Sequence, residues 1–317
     1  MSNYVIVPLD GSKLAEEALP MGIALAQEAV SDGVVQVVQV IPKLSQTFVY
    51  LPDNGMNSLE LHEAFRASAE NYLGKIKTQL AEAGGAVETL VVDGKAGPAL
   101  AKLANREEVS YVVMSTHGRG GVSRWTLGSV ADQVLQLIER PLIIMRSETV
   151  SDAPLAELSG GMPKIGDLPQ LKRIVVPLDG SPFAEQVLPH AKKLARAYDA
   201  ELLLLRSVSA TPPGMIGSDV ALLETRLYEI NRNQARDYLK RIKLDLQVEG
   251  FKVGFEISGG QAADAILSYA DNIDADLIAM CTHARGAISR MVMGSVADGI
   301  IRAGQVPVLA IKAETKE

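Results

Sequence analysis

Two tandem α/β domains are the fold this sequence predicts, each a doubly wound, parallel five-stranded sheet of order 3-2-1-4-5 flanked by helices. Three observations lead there. A short stretch, Tyr4-Val5-Ile6-Val7-Pro8-Leu9-Asp10-Gly11-Ser12, returns as Ile174-Val175-Val176-Pro177-Leu178-Asp179-Gly180-Ser181. A second, Met114-Ser115-Thr116-His117-Gly118, nine residues, then Gly128-Ser129-Val130-Ala131, returns as Met280-Cys281-Thr282-His283-Ala284, nine residues, then Gly294-Ser295-Val296-Ala297. The offsets are 169 and 166 residues, the length of a domain and far beyond the roughly 20–50 of a solenoid repeat. Between the two stretches, short apolar runs alternate with helical periodicity, the pattern of parallel strands joined by crossover helices.

The elements follow in order. Val5 to Val7 is a short apolar run that stops at Pro8, as a buried parallel strand does. Ser12 offers a helix cap, and Ala15, Ala18, Leu19, Ile23, Ala24 and Ala26 supply one apolar face. Val34 to Ile41 is the second strand, followed by an irregular stretch, 42–57. Leu61, Phe65, Tyr72, Leu73, Ile76 and Leu80 keep a helical period and mark a long amphipathic helix. Val87 to Val92 is strand three, Gly94 to Gly97 a turn into a short helix, and Tyr111 to Met114 strand four. A helix runs from Gly128 to about Ile138, and Leu142 to Met145 is the last strand. The second half repeats the order, with strands near 173–177, 201–208, 252–257, 276–281 and 307–312. The expected domains are 1–148 and 171–314, with a linker at 149–170 rich in Ser, Gly, Pro and acidic residues.

Composition narrows the function. A hydrophobic content of 47% with 22% charged residues suits a globular protein, and aromatics at 4% leave the cores to Val, Ile, Leu and Ala. A net charge of −7 argues against a nucleic-acid partner, which usually selects a basic face. No apolar run nears the roughly 18 residues of a membrane span. The chain enters a strand directly after Met1, so no signal peptide is expected. One cysteine, Cys281, excludes an internal disulfide and fits a reducing cytoplasm.

In a sheet of order 3-2-1-4-5 the chain reverses direction between strands one and four, and ligands bind beyond the carboxyl ends there. Both repeated stretches fall at those ends. A loop that leaves strand four and feeds a helix presents backbone N–H groups and the positive end of the helix dipole, which suits a phosphate. There is no Gly-Lys-Ser/Thr loop and no full GxGxxG fingerprint, which disfavours the common kinase-type and dehydrogenase sites. Asp10-Gly11-Ser12 and Asp179-Gly180-Ser181 read equally as helix caps or as ligand contacts, and the two roles are compatible. His117 and His283 recur at matched positions, yet no carboxylate or nucleophile accompanies them, so they orient a loop or meet phosphate rather than catalyse. His62 and His190 are surface or packing residues of helices. Arg119 with Arg285, and Arg124 with Arg290, also recur. Each reads as a phosphate partner or as a solvated loop residue.

These residues resemble the universal stress protein family, whose signature is Gly-x2-Gly-x9-Gly-Ser/Thr after strand four. The closing strands Arg140-Pro141-Leu142-Ile143 and Val306-Pro307-Val308-Leu309 match as well, and the likeness covers nearly the whole chain as a tandem form. There are departures: Ser115 stands for the first glycine in the first half, and Cys281 and Ala284 stand for the first and second in the other. The resemblance implies that Pro8, Leu9 and Asp10 border a nucleoside, that Val40 packs on adenine and that Met114 lies near base or sugar. It puts Ser115, His117, Gly118, Arg119, Gly128, Ser129 and Val130 along the phosphates. In the second half Pro177, Asp179, Met280, Arg285, Gly294, Ser295 and Val296 match, while Ser207 replaces the apolar residue at the end of strand two. It also implies that the last strands of the two halves pair within one chain as a pseudo-dimer. A homodimer of chains and a protein partner are both compatible with the sequence.

The implied function is a cytoplasmic stress-response or regulatory protein binding ATP, AMP or ADP, and an enzymatic role is not expected. The nucleotide is expected with Mg²⁺, and in the first half more than in the second. With no positioned base and no phosphate-loop lysine, any hydrolysis is expected to be slow. The alternative is an interaction or chaperone-like module that has lost its nucleotide, and the weakest reading is an ATP-using enzyme.

Overall fold

The computed structural model describes residues 3–43, 58–82, 85–115, 127–146, 168–209, 218–284 and 293–313. By contacts the chain divides into two compact units, Met1–Pro169 and Gln170–Glu317. The irregular stretch after strand two, apart from residues 42 and 43, and most of the linker lie outside the described residues.

In unit one the strands are β1 (Asn3–Pro8), β2 (Gly33–Ile41), β3 (Val87–Asp93), β4 (Val109–Ser115) and β5 (Leu142–Met145). Their order is β3-β2-β1-β4-β5, with each described pairing parallel. In unit two β6 (Arg173–Pro177), β7 (Glu201–Val208), β8 (Val253–Gly259), β9 (Leu277–Ala284) and β10 (Val308–Ala313) run β8-β7-β6-β9-β10, again parallel. Each unit is therefore the doubly wound sheet that the sequence predicts, with its switch point between the first and fourth strands.

The first strands are continuous apolar runs because helices cover both of their faces. Val5, Ile6 and Val7 are buried, as are Ile174, Val175 and Val176. Each such side chain contributes about 1.5–3 kcal/mol relative to remaining in water.

One helix per unit differs from expectation. The apolar stretch after Ser12 forms two helices, α1 (Lys13–Glu16) and α2 (Leu19–Glu28). A proline lacks an N–H and its ring collides with the carbonyl four residues back. Pro20 meets Glu16 in this way, and α1 ends there. After them in unit one come α3 (Ser58–Glu82), α4 (Ala96–Ala104) and α5 (Ser129–Leu137). Unit two breaks at the same place, since Pro189 lies four residues after Glu185: α6 spans Pro182–Glu185 and α7 spans Leu188–Tyr198. It continues with α8 (Ser218–Val248), α9 (Ala262–Asn272) and α10 (Ser295–Ala303).

The long helix α3 packs only along its later turns. Ala69, Leu73, Ile76 and Leu80 are buried, whereas Phe65, which shares their periodicity, is 40% exposed. In α8 the buried residues among those described are Ala235, Leu239, Ile242 and Leu246. Among the described residues no helix is long and apolar enough to cross a membrane.

Candidate functional site

The turn after the first strand is built identically in both units. Gly11 and Gly180 adopt φ of 85° and 89°, a left-handed backbone that only glycine enters at no steric cost. The turn brings Asp10 over Ser12: one carboxylate oxygen accepts the Ser12 N–H at 2.9 Å and its hydroxyl at 2.6 Å. Ser12 Oγ in turn accepts the N–H of Ala15 at 3.2 Å and caps α1. Asp179 does the same for Ser181 at 2.8 and 2.6 Å, and Ser181 Oγ caps α6 through Ala184 at 3.1 Å. The capping role of these aspartates and serines is thus explicit. In unit two both bonds use Oδ1, so the second carboxylate oxygen of Asp179 is not committed to the turn.

At the other strand end, Gly128 and Gly294 stand immediately before α5 and α10, with φ/ψ of −59°/145° and −58°/140°. Being glycines, they bring no side chain of their own to cap either helix. Those torsions suit any residue, and among the described residues a Cβ on Gly294 would meet only the Thr282 carbonyl, at an ordinary 3.7 Å. Neither backbone strain nor packing among the described residues requires glycine at 294. A bare backbone there leaves room for an outside group to approach the first N–H groups of α10, where the helix dipole favours negative charge. The Gly294 N–H donates to the Thr282 carbonyl at 3.2 Å, which ties the start of α10 to β9.

In unit two these parts enclose a cleft of about 280 Å³. Pro177, Asp179, Met280, Gly294, Ser295 and Val296, all singled out from the sequence, line it together with Ser207 and Cys281. Phe183 and Ala184 of α6, Leu205 of β7, and Ala262 and Ile266 of α9 complete its walls. No short motif marks those five residues; crossover packing brings them in. Ser207 lines the cleft, but its hydroxyl donates to the Gly260 carbonyl at 2.9 Å, tying β7 to the turn before α9. The Cys281 thiol reaches the Ala184 carbonyl at 3.9 Å. Burial foremost, reinforced by the negative charge of Asp179, pushes that thiol up to about 12, so it is neutral at physiological pH.

In unit one Ile6 pairs with Val112, which sets Pro8 and Met114 at the carboxyl ends of adjacent strands. Leu9 is buried and donates its N–H to the Val38 carbonyl at 2.8 Å. Val40 is half-buried near the end of β2, and Met114 and Ser115 are buried at the end of β4. Ser129 is exposed and Val130 half-buried at the start of α5. His117, Gly118, Arg119, Arg124, Trp125, Arg285 and Arg290 lie outside the described residues, as does the side chain of His283.

The remaining histidines stand away from these strand ends. His62 Nε2 lies 3.0 Å from Asp93, which also pairs with Arg66. His190, half-buried on α7, has its pKa lowered by burial and by Lys193, which favours the neutral ring. Among the described residues no three His, Cys, Asp or Glu gather as a metal cluster.

A model of the universal stress protein family matches residues 1–146 and again 170–312. Universal stress protein MJ0531 of Methanocaldococcus jannaschii is 31% identical over 146 residues, 46% of this chain and 85% of that protein. Universal stress protein Mb2028c of Mycobacterium bovis is 24% identical over 220 residues, 68% of this chain and 65% of its own length. A crystal structure of a universal stress protein from Archaeoglobus fulgidus superposes with a TM-score of 0.69 at 22% identity, covering 98% of this chain and 99% of that one, a likeness of fold.

Proposed function

The chain belongs to the universal stress protein family, and from that premise we propose that it is a cytoplasmic stress-response or regulatory protein that holds ATP, or AMP or ADP, at the switch point of its sheets. One observation carries the reading. Six residues named by the repeated stretches converge on one cleft, where a helix start sits behind a glycine that packing among the described residues does not need. Phosphate meets the first turn of α10, and by duplication that of α5. The nucleoside lies toward Asp179 and the apolar residues Leu205, Ile266 and Met280. Mg²⁺ accompanies the phosphates.

Unit one is the stronger site. It keeps Gly118 where unit two has Ala284, and Val40 where unit two has Ser207. A valine, with its two methyl groups, buries more apolar surface against a base than a serine whose hydroxyl is already bonded to Gly260. The substitution Gly118→Val tests this. In calorimetric titration with Mg-ATP it lowers the affinity of unit one at least about tenfold, or 1.4 kcal/mol, with the fold retained by circular dichroism. Unchanged binding removes the reading for that site.

The second reading, a protein-interaction module without nucleotide, has its own support in the Cys281 side chain, which lines the cleft where the family signature has glycine. Wild-type protein that releases no nucleotide on denaturation and gives no heat with Mg-ATP decides for it.

A further inference from the structure

The helix α6 is a single turn of four residues, too short to hold itself, since one turn fixes many torsions for little hydrogen bonding. It nevertheless forms a wall of the unit-two cleft through Phe183 and Ala184. Three attachments fix it. Ser181 caps its start and Asp179 holds Ser181. The Cys281 thiol meets the Ala184 carbonyl from β9. At its far end, Glu185 Oε1 accepts the hydroxyl of Tyr238 on α8 at 2.9 Å.

Tyr238 is well placed to be a fixed post. It stands between Ala235 and Leu239, both fully buried, on the part of α8 that packs on the sheet. The guanidinium groups of Arg206 and Arg241 lie 5.3 and 5.7 Å from its ring centre. The same device recurs in unit one, where Tyr72 donates to Glu16 Oε1 at 3.0 Å. There Glu16 is also bonded within its own turn, by Lys13 Nζ at 2.8 Å. Position 182 is proline in unit two, so Glu185 has no such neighbour within α6.

We propose that Tyr238 is a positioning residue of the unit-two cleft: through Glu185 it holds the α6 turn, and with it Phe183 and Ala184, in the place a ligand needs. Tyr72 holds α1 through Glu16 in unit one in the same way. That the held wall serves nucleotide rests on the function proposed above; the hold itself does not.

The test separates the two. Cys281 is the only cysteine, so its rate of alkylation by N-ethylmaleimide reports how often the α6 turn leaves β9. In the full-length chain, Tyr238→Phe raises that rate about tenfold, the loss of one charge-assisted hydrogen bond, while Tyr72→Phe leaves it unchanged. Glu185→Ala raises it equally, and the double variant Tyr238→Phe/Glu185→Ala adds nothing further, because both remove one bond. Affinity of unit two for Mg-ATP falls in the same variants by a similar factor, with the unfolding temperature near that of the unmodified protein. A folded Tyr238→Phe protein that alkylates at the original rate, or a double variant whose effects simply multiply, overturns the proposal. If the unmodified protein binds no Mg-ATP, the nucleotide reading fails while the alkylation ratio still decides the role of Tyr238.

Discussion

Unit one and unit two share the bonds that build the mouth of the cleft and differ in what faces it. The Asp-Gly-Ser turn closes at 2.9 and 2.6 Å in one and at 2.8 and 2.6 Å in the other. The Tyr–Glu bonds are 3.0 and 2.9 Å, and the glycines before α5 and α10 agree within a few degrees in φ. Val40 against Ser207 and Ser115 against Cys281 are among the substitutions. After duplication, the turn chemistry that shapes the site admits few residues, whereas the lining tolerates change in size and polarity. Similar frames with different linings predict equal structural effects of frame mutations and unequal ligand effects.

The largest effect expected is on stability. Ile174 is fully buried in β6, and Ile174→Ala leaves a cavity that costs about 2–5 kcal/mol in urea titration. Its counterpart Val5, equally buried, costs less as Val5→Ala because fewer atoms are lost. Next comes ligand affinity: Gly294→Val lowers unit-two binding at least about tenfold, or 1.4 kcal/mol. Its unfolding temperature changes little, since the backbone torsions allow a side chain and among the described residues a Cβ meets only the Thr282 carbonyl, at an ordinary 3.7 Å. A large thermal loss in that variant would mean that the glycine is needed for packing. Smaller again are the caps. Ser12→Ala and Ser181→Ala each cost about 1 kcal/mol, and equally, because the same bond is removed in each unit.

The smallest effect at neutral pH is specific to unit two. The Cys281 thiol titrates near 9 when unfolded and is pushed up to about 12 by burial. The unfolded chain therefore releases its proton first. The stabilisation is complete below pH 9 and is lost as pH rises toward 12. Cys281→Ala flattens the stability profile across that window and leaves it unchanged at pH 7. An unaltered alkaline slope would show that the thiol does not contribute.

Much of this was legible in the sequence because the signals were local. Strand order followed from alternation, and two sides of the unit-two cleft from Asp179 and Gly294, which sit in short repeated stretches. Pro20 and Pro189 carried the signal for splitting the first helix, but the apolar periodicity on either side ran through them. Phe65 kept helical period with Leu73 and is exposed nonetheless, since periodicity does not say where a helix overruns its sheet. Phe183, Ala262 and Ile266 reach the cleft only through the packing of α6 and α9, and the Tyr238–Glu185 bond spans 53 residues. No local pattern encodes such contacts.

The most direct test of the central claim is to denature freshly purified protein and quantify released nucleotide by chromatography with mass detection. Adenine nucleotide equimolar with the chain is the predicted result, reduced by Gly118→Val and far less by Gly294→Val. No released nucleotide, followed by no heat on titration with Mg-ATP, would contradict it.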